Sequence, residues 1–201
     1  MGATGATGIE IVKRATQRGH SVRAFVRSAQ RLAGLPSAVD IIEGDLLNAD
    51  ELKEAASGYE AVLSAFGPRE PRSKVPLVGP FARALTRAMA QKEPSRLIIL
   101  SVAFLFRDSV LPPAYPLGQV LFKHLVADCA DMEAIVQRSR LEWTIVRPPQ
   151  LTNKPRSGKY RVRVQHLPFM GFTVSRADVA DFMIQAMEQG SYTRQIVGLA
   201  N

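Results

Sequence analysis

The sequence predicts an α/β fold, a doubly wound parallel sheet with helices on both faces. Short β-branched runs alternate with longer helical patterns, which is typical of βα units. Several of these runs are almost continuously apolar, as strands buried on both faces are. The length of 201 residues favours one domain, which we predict to span residues 1–201, with 151–174 as an insertion on the substrate side. The predicted strands are Ser21–Val26, Val39–Glu43, Ala61–Ala65, Leu97–Val102 and Trp143–Val146.

Apolar residues at helical spacing predict the helices, the first of which ends at Gly19, a residue suited to the position after a helix. The last helix begins with a capping box, Ser175 followed by Asp178. The inward positions of the four helices are Ile9, Val12, Ala15 and Thr16; Phe81, Leu85, Ala88 and Met89; Leu121, Leu125, Met132, Ile135 and Val136; and Val179, Phe182, Met183, Ala186 and Met187. Gly67–Gly79 and Leu151–Val174 are predicted as irregular segments. Because both follow strands, both could line a ligand site.

Composition excludes several classes of protein. Lys and Arg number 26 against 18 Asp and Glu, a net charge of +8, which attracts anions such as phosphorylated cofactors and acidic substrates. The single cysteine, Cys129, excludes an internal disulfide framework and favours a reduced, cytoplasmic setting. The three histidines lack metal-ligand spacing, so we predict no metal. No apolar run approaches the ~18–20 residues of a membrane span.

A glycine-rich loop opens the chain. Gly2, Gly5 and Gly8 have a G-x-x-G-x-x-G spacing and lead directly into the first predicted helix. Such glycines allow a tight turn and let the backbone approach a pyrophosphate, which free N–H groups at the helix start then bind. We predict a dinucleotide site with cofactor contacts from Gly2, Thr4, Gly5, Ala6 and Thr7.

The strand that normally precedes such a loop is missing from the sequence, since only Met1 stands before Gly2. That strand would be central in the sheet and would carry hydrogen bonds on both sides. We expect a fragment or a misassigned start, and the alternative is a variant that tolerates the loss.

The residues after the second predicted strand favour NADP as the cofactor. NAD-binding proteins usually have an acidic residue about 20 residues beyond the loop, but here the sequence reads Arg27, Ser28 and, three residues on, Arg31. The two arginines could hold a 2′-phosphate, with a hydrogen bond from Ser28. NAD remains possible, and the alternative interpretation is that these arginines belong to a solvated helix start.

Taken together, these motifs resemble those of atypical short-chain dehydrogenase/reductases with an NAD(P)-binding, NmrA-like domain, and most of all the biliverdin reductase B/flavin reductase group. The resemblance covers essentially the whole chain and implies a Rossmann-like fold. It depends on the segments Gly2–Gly8, Val26–Ser28, Glu43–Leu46, Leu100–Leu105, Val146–Pro149, Gly158–Tyr160 and Val174–Ala180.

The resemblance also implies roles for individual residues. Ser101 would lie beside the nicotinamide, and Pro148 and Pro149 would pack near its carboxamide. Asp45–Leu46 would flank the adenine, and Gly67 would approach the cofactor backbone.

The acid–base pair of ordinary short-chain dehydrogenases is incomplete in this sequence. In those enzymes a serine is followed by Tyr-x-x-x-Lys, and here Tyr115 follows Ser101 at a suitable distance. However, Gln119 stands in place of the lysine, and Pro116 is expected to bias Tyr115 away from the helical conformation. We therefore treat Tyr115 as a weak catalytic candidate, with a pocket-wall role as the alternative.

The reductase group that this chain resembles lacks the same pair and transfers hydride directly to a conjugated acceptor, with solvent as the proton source. We therefore predict an NADPH-dependent reductase of flavins, quinones or tetrapyrrole-like acceptors. Ser101 would hydrogen-bond the carboxamide or the substrate, unless it is a strand-end serine satisfied by backbone. Relatives often have a histidine where this sequence has Gln150, which can keep a hydrogen bond but cannot donate a proton.

The predicted substrate residues are Phe104, Gln150, Arg161 and His166. Lys159–Gln165 alternates as a strand does and places Arg161 on a cationic face. That face could bind an anionic acceptor, or it could be the solvated face of an edge strand, where charges also prevent aggregation.

Two other functions are consistent with parts of the sequence. A non-catalytic NAD(P)-binding sensor or regulator of the NmrA-like type would also lack the Tyr–Lys pair. Nucleic-acid binding is suggested by charge alone, and no recognised motif supports it. We predict a small-molecule acceptor, neither nucleic acid nor membrane as a partner, and a monomer or weak homodimer.

Overall fold

The computed structural model describes residues 1–29, 39–68, 70, 72–90, 95–106 and 114–201, the side chains of 114–117 excepted. The helices in these ranges are α1 (Ala6–Gln17), α2 (Ala49–Ala56), α3 (Val78–Met89), α4 (Ala114–Leu121), α5 (Lys123–Arg138) and α6 (Arg176–Glu188). The strands are β1 (Arg23–Val26), β2 (Asp40–Glu43), β3 (Ala61–Ser64), β4 (Arg96–Leu100), β5 (Glu142–Arg147), β6 (Gln150–Thr152), β7 (Arg161–Val164), β8 (Thr173–Ser175) and β9 (Gln195–Ala200).

The main sheet has the strand order β3-β4-β5-β9-β7, in which the first four strands are parallel and β7 is antiparallel. The strands β1 and β2 form a separate parallel pair, and so do β6 and β8. The predicted doubly wound α/β fold is confirmed. A cavity of about 630 Å³ lies between β1 and β3.

The core consists of two apolar layers, one on each face of the main sheet. Leu97 and Ile99 of β4 pack with residues of α2, α3 and α5, whereas Ile98 between them packs with α1 and α6. Successive side chains of a strand point to opposite faces, so β4 is buried on both sides, as its continuous apolar run predicted. Cys129 is a buried core residue.

Several local predictions can be compared with the structure. Half of the predicted capping box at the start of α6 is present: the Ser175 hydroxyl accepts a hydrogen bond from the Asp178 N–H at 2.9 Å, whereas the Ser175 N–H donates to Asn201 Oδ1 and not to Asp178. The long helix predicted through Leu121–Val136 is divided at Phe122 into α4 and α5. The expectation that Pro116 keeps Tyr115 out of a helix is wrong. Both lie in the first turn of α4, where a backbone N–H has no intrahelical acceptor to lose.

Some elements were not predicted at all. Helix α2 begins after Asn48, whose side chain accepts hydrogen bonds from the N–H groups of Asp50 and Glu51. The strands β6, β8 and β9 were also missed. No helix in the described ranges combines the length and the apolar character needed to cross a bilayer.

Candidate dinucleotide site

The glycine loop lies at the edge of the sheet where β1, β3, β4 and β5 end. Its position is set by the chain that follows β3, since the Ala65 N–H donates to the Met1 carbonyl at 3.2 Å. A Cβ on Gly2 would lie 2.7 Å from the carbonyl carbon of Ala65. Ligands of open parallel sheets bind at this carboxyl edge, so the loop is where a dinucleotide needs it.

The three glycines of the loop have different tasks. Gly2 adopts a φ of +76°, which favours glycine, and its carbonyl accepts from the Gly5 N–H at 3.0 Å. A Cβ on Gly8 would collide with the Gly2 carbonyl oxygen, so Gly8 lets the helix pack on the loop. A Cβ on Gly5 would touch only that same oxygen, at 3.4 Å. Gly5 is therefore the glycine that leaves room for a ligand.

The N-terminus of α1 offers unpaired N–H groups beside Gly5. The first bond within the helix joins the Ile9 N–H to the Gly5 carbonyl at 2.9 Å, which leaves the N–H groups of Ala6, Thr7 and Gly8 without an intrahelical acceptor. No side chain caps this terminus, and its first turn has no acidic residue. The helix dipole and these N–H groups favour an anion here, so the predicted loop residues fit a pyrophosphate.

The cationic site predicted after β1 is only partly described. Arg27 is exposed and, within the described part of the chain, forms no ion pair. Ser28 is half-buried beside it, and Arg31 lies outside the described residues. The sequence analysis missed Glu43 at the end of β2, whose carboxylate accepts from the Ala29 N–H at 2.5 Å. A carboxylate therefore lies close to the predicted phosphate site.

The residues predicted around the adenine and the cofactor backbone differ in accessibility. Asp45 is exposed, and its Oδ1 accepts from the Leu47 N–H at 2.9 Å. Leu46 is 4% exposed and belongs to the core, so only its backbone is available to a ligand. Gly67 is exposed and has open space where a Cβ would stand.

Ser101 carries a buried hydroxyl directly after β4. Its N–H donates to the Val146 carbonyl at 2.8 Å, which fixes the residue, and its side chain is only 8% exposed. Its Oγ has no hydrogen-bond partner among the nitrogen and oxygen atoms of the described residues. The Cys129 thiol lies within reach of it, but burial raises the pKa of that thiol to about 12, so the thiol stays protonated at neutral pH and is only a weak partner. A buried hydroxyl without a partner is costly, and a ligand amide at this edge would satisfy it.

The end of β5 is held by a buried ion pair that sequence reasoning missed. Arg147 Nε donates to Glu133 Oε1 at 2.9 Å, and Nη2 lies 2.5 Å from Oε2. The guanidinium also lies 4.6 Å from the ring centroid of Phe106. The Ala103 N–H donates to the Pro148 carbonyl at 3.2 Å. These contacts fix the Pro148–Pro149 segment next to Ser101.

Helix α4 is joined to the segment after β4 through Gln119 and Phe104. The Gln119 side chain donates to the Phe104 carbonyl at 2.7 Å, and the Phe104 ring stacks on Phe122 with centroids 5.8 Å apart. Gln119, which stands where ordinary dehydrogenases have their lysine, therefore holds the backbone after Ser101. Tyr115 lies one turn before it in α4.

The other predicted substrate residues lie beyond Ser101 along the sheet. Arg161 donates to the carbonyls of Phe169 at 2.7 Å and Asn201 at 3.1 Å, so it fixes a loop. Gln150 is exposed at the start of β6. The carbonyl of His166 lies against Gly198 in β9, and Gly198 pairs with the last residue of β5. The backbone of His166 is therefore close to the end of β5.

An exposed apolar group next to Gln150 was missed by the sequence analysis. Phe169, Met170 and Phe172 are 78%, 62% and 58% exposed. The Gln150 N–H donates to the Phe172 carbonyl at 3.2 Å, which places this group beside the Pro148–Pro149 segment. We call Phe169, Met170 and Phe172 the apolar rim. Exposed apolar patches of this kind mark binding surfaces.

Comparison with known proteins assigns the family. A sequence model of the family described as NAD(P)H-binding matches residues 2–190. YwnB of Bacillus subtilis strain 168, an uncharacterized protein, is 25% identical over 200 residues, which cover 94% of this chain and 89% of YwnB.

Two solved structures share the fold of this chain. SP1627 of Streptococcus pneumoniae TIGR4, a candidate NADH-flavin reductase, is 26% identical with a TM-score of 0.80, over 99% of this chain and 96% of SP1627. ChuY of Escherichia coli O157:H7, an anaerobillin reductase, has a TM-score of 0.79 at 22% identity, over 99% of this chain and 94% of ChuY. The resemblance seen in the sequence is confirmed, and the chain belongs to the NAD(P)H-binding family.

Proposed function

We propose that this protein is an NADPH-dependent reductase that transfers hydride to a flat conjugated acceptor. The observation that carries the proposal is the buried, unpartnered hydroxyl of Ser101 at the edge that also holds the glycine loop. A dinucleotide bound along this edge would give that hydroxyl the carboxamide of its nicotinamide ring as a partner. SP1627 and ChuY, which are named as reductases, support the same reaction class.

Each part of the site has one task in this proposal. NADPH supplies the hydride, because such chemistry belongs to the cofactor and the protein supplies binding and orientation. The N–H groups of Ala6, Thr7 and Gly8, which have no acceptor within α1, bind the pyrophosphate, and Gly5 leaves room for it. Ser101 and the Pro148–Pro149 segment orient the nicotinamide end. The Arg147–Glu133 ion pair is a positioning element, since it touches the segment and not the ligand.

The preference for NADPH over NADH depends on Arg27. Its exposed guanidinium is available to a 2′-phosphate, and charge-assisted bonds of this type are strong and specific. The Glu43 carboxylate is engaged by the Ala29 N–H. The negative charge of Glu43 near the predicted phosphate site opposes the attraction between Arg27 and a 2′-phosphate. We therefore expect the protein to prefer NADPH without excluding NADH.

The acceptor is inferred from what the site offers next to Ser101. The apolar rim would pack against a flat ring system, and the net charge of +8 attracts an anionic acceptor. Gln119 stands in place of the lysine of ordinary dehydrogenases, and its side chain is bound to the Phe104 carbonyl, so the acid–base pair of those enzymes is incomplete. Acceptors whose reduction takes a proton from solvent, such as flavins and quinones, fit this site best.

The direct test is NADPH oxidation at 340 nm in the presence of FMN, with wild type compared with Ser101→Ala. We expect turnover by the wild type and at least roughly tenfold lower kcat/KM for the variant, equivalent to about 1.4 kcal/mol. Equal rates for the two proteins would remove Ser101 from the proposal.

A second function, a cofactor sensor without turnover, is favoured by one observation. The residue that would complete the acid–base pair, Gln119, has a structural task in holding the Phe104 carbonyl. Tight NADPH binding without turnover over a panel of flavins and quinones would replace the reductase by the sensor.

A further inference from the structure

A groove of about 560 Å³ lies between α1, the start of α6 and the segment 153–156. This volume is typical of sites that bind small molecules. The α1 residues that line the groove recur at the spacing of one helix face. They are Ala6, Ile9, Glu10, Lys13, Arg14 and Gln17.

Positive charge dominates the lining of this groove. Among the described residues that line it, two lysines and three arginines stand against one acidic residue. The cations are Lys13, Arg14, Lys154, Arg156 and Arg176, and the acid is Glu10. The buried carboxylate of Asp181 contacts two of the arginines. Five cations against these two carboxylates leave three positive charges in excess, which attract an anion. We call this cavity the cationic groove.

The arginines at the base of the cationic groove are organised by Asp181, whose side chain is only 1% exposed. Its Oδ2 accepts from the Tyr160 hydroxyl at 3.1 Å and from the Gln185 amide at 3.0 Å. Its Oδ1 lies 2.6 Å from Arg14 Nη2 and 3.6 Å from Arg156 Nη1. One carboxylate therefore holds two guanidinium groups side by side and neutralises only one of their two charges.

Most of the donors around the groove are not used by the protein. The buried Nε of Arg14 has no hydrogen-bond partner among the described residues. Arg176 uses Nη1 to donate to Asn153 Oδ1 at 2.7 Å. Within the described part of the chain, the Lys154 amino group forms neither an ion pair nor a hydrogen bond. Because a guanidinium has five N–H donors in a planar fork that matches carboxylate and phosphate groups, the groove is equipped to bind more than one such group.

The helices beside the groove add to its positive field. Arg14 and Arg18 of α1 contact Asp181 and Glu188 of α6, so the two helices run in the same direction. Both begin at the end of the groove that Ala6 lines. The first turn of α1 contains no acidic residue, so the positive end of its dipole is not neutralised there.

We propose that the cationic groove binds a small polyanion with two or more phosphate or carboxylate groups, as a ligand additional to the dinucleotide. Three excess charges call for a ligand of similar opposite charge. The groove is bounded by α1 on one side and by the segment 153–156 on the other, which favours a compact molecule over a nucleic acid or an acidic peptide. Binding relieves the repulsion among the neighbouring cations, so the ligand should also stabilise the folded chain.

The test is a ¹⁵N NMR titration of the cofactor-free chain with inorganic pyrophosphate and, separately, with citrate. The backbone amides of Arg14, Asn153 and Ala177 report on the groove, whereas those of Gly5 and Thr7 report on the glycine loop. We expect the groove signals to saturate with a Kd below roughly 1 mM for at least one of the two anions. The tighter anion shows whether the groove prefers phosphate or carboxylate groups. Inorganic phosphate, which offers a single group, should bind at least roughly tenfold more weakly.

A pair of double variants separates the groove from the general charge of the protein. Lys154→Gln with Arg176→Gln removes two cations of the groove and keeps both arginine partners of Asp181. It should raise the Kd measured at the groove signals at least roughly tenfold. The control, Lys159→Gln with Arg163→Gln, removes two exposed cations that do not line the groove and should change that Kd by less than about twofold.

Other results would overturn the proposal. A Kd above roughly 1 mM for both anions, or equal affinity for inorganic phosphate, would contradict a site for several anionic groups. Equal losses in the two double variants would mean that only the overall charge matters. Shifts confined to Gly5 and Thr7 would place the anion at the glycine loop. Groove signals that respond only to polyglutamate or to a DNA duplex would assign the groove to a macromolecule. All readouts are taken without cofactor, so a failed turnover assay leaves them unaffected.

Discussion

The two halves of the candidate site differ in how firmly the surrounding structure holds them. The Ser101 half stands on β4 and β5, which are paired on both sides within the main sheet, and it is fastened by the buried Arg147–Glu133 pair. The glycine-loop half depends on Met1, which bonds the Leu63 carbonyl and the Ala65 N–H, and on the contact of Gly2 with Gly8. The nicotinamide end of the site is therefore preorganised, whereas the phosphate end borders the cavity between β1 and β3.

The largest expected effect comes from disrupting the Arg147–Glu133 ion pair in the Ser101 half of the site. Both partners of the Arg147–Glu133 pair are nearly buried, so Glu133→Leu leaves an unpaired guanidinium inside the protein. We expect a loss of about 3–5 kcal/mol in the free energy of unfolding, measured by urea denaturation.

The surface pair Arg83–Asp131, with both side chains about half exposed, is the matched control. Asp131→Asn should change the free energy of unfolding by less than ~1 kcal/mol. The double variant Glu133→Leu, Arg147→Met should recover most of the loss. If Glu133→Leu costs no more than the control, the buried pair does not anchor β5.

In the glycine-loop half, substitutions of Gly5 and Gly8 should distinguish an effect on stability from an effect on cofactor binding. Gly8→Ala forces a methyl group onto the Gly2 carbonyl, and overpacking of this kind costs about 1–3 kcal/mol. Gly5→Ala meets only a 3.4 Å contact, so its thermal midpoint should stay close to that of the wild type. Its NADPH affinity should nevertheless fall at least roughly tenfold. Equal NADPH affinity for wild type and Gly5→Ala, by fluorescence titration, would contradict the loop assignment.

Ser101→Ala should move stability and affinity in opposite directions. Removing an unsatisfied buried hydroxyl should leave the free energy of unfolding unchanged or raise it by up to ~1 kcal/mol, while the Kd for NADPH rises. Thr144→Val is the control, since Thr144 donates to the Tyr192 carbonyl at 2.8 Å in the first half of β5. It should lower stability and leave the Kd unchanged. A loss of stability in Ser101→Ala would mean that the hydroxyl already has a partner.

The smallest effect is expected at the surface. Arg27→Gln should weaken the binding of NADPH by about 1 kcal/mol, which raises its Kd roughly fivefold, and should leave the Kd for NADH unchanged. Arg138→Gln, an exposed arginine at the end of α5, controls for the loss of one charge. If the substitution raises the Kd values for NADPH and NADH equally, Arg27 attracts both cofactors through its positive charge and does not select the 2′-phosphate.

The features that could be predicted from the sequence are local patterns, whereas the features that were missed depend on contacts between distant residues. The glycine loop and the Ser175 N-cap of α6 are local patterns, so spacing alone predicted them. The β9 strand was missed because Gly198 interrupts its apolar run, and that glycine is needed where the His166 carbonyl crosses the strand. Glu133 and Arg147 lie 14 residues apart on different elements, so no local pattern links them. The exposure of the apolar rim depends on how the chain folds back beside Gln150.

The most direct test of the reductase proposal is the fate of deuterium when the protein oxidises NADPH labelled at one of the two C4 positions, with FMN as acceptor. A nicotinamide held in one orientation by Ser101 and the Pro148–Pro149 segment must give up hydride from one face. We therefore expect NADP⁺ by mass spectrometry that keeps all of the label from one diastereomer and none from the other, after subtraction of the uncatalysed rate. Partial retention from both diastereomers, or no turnover above the uncatalysed rate, would contradict the proposed site.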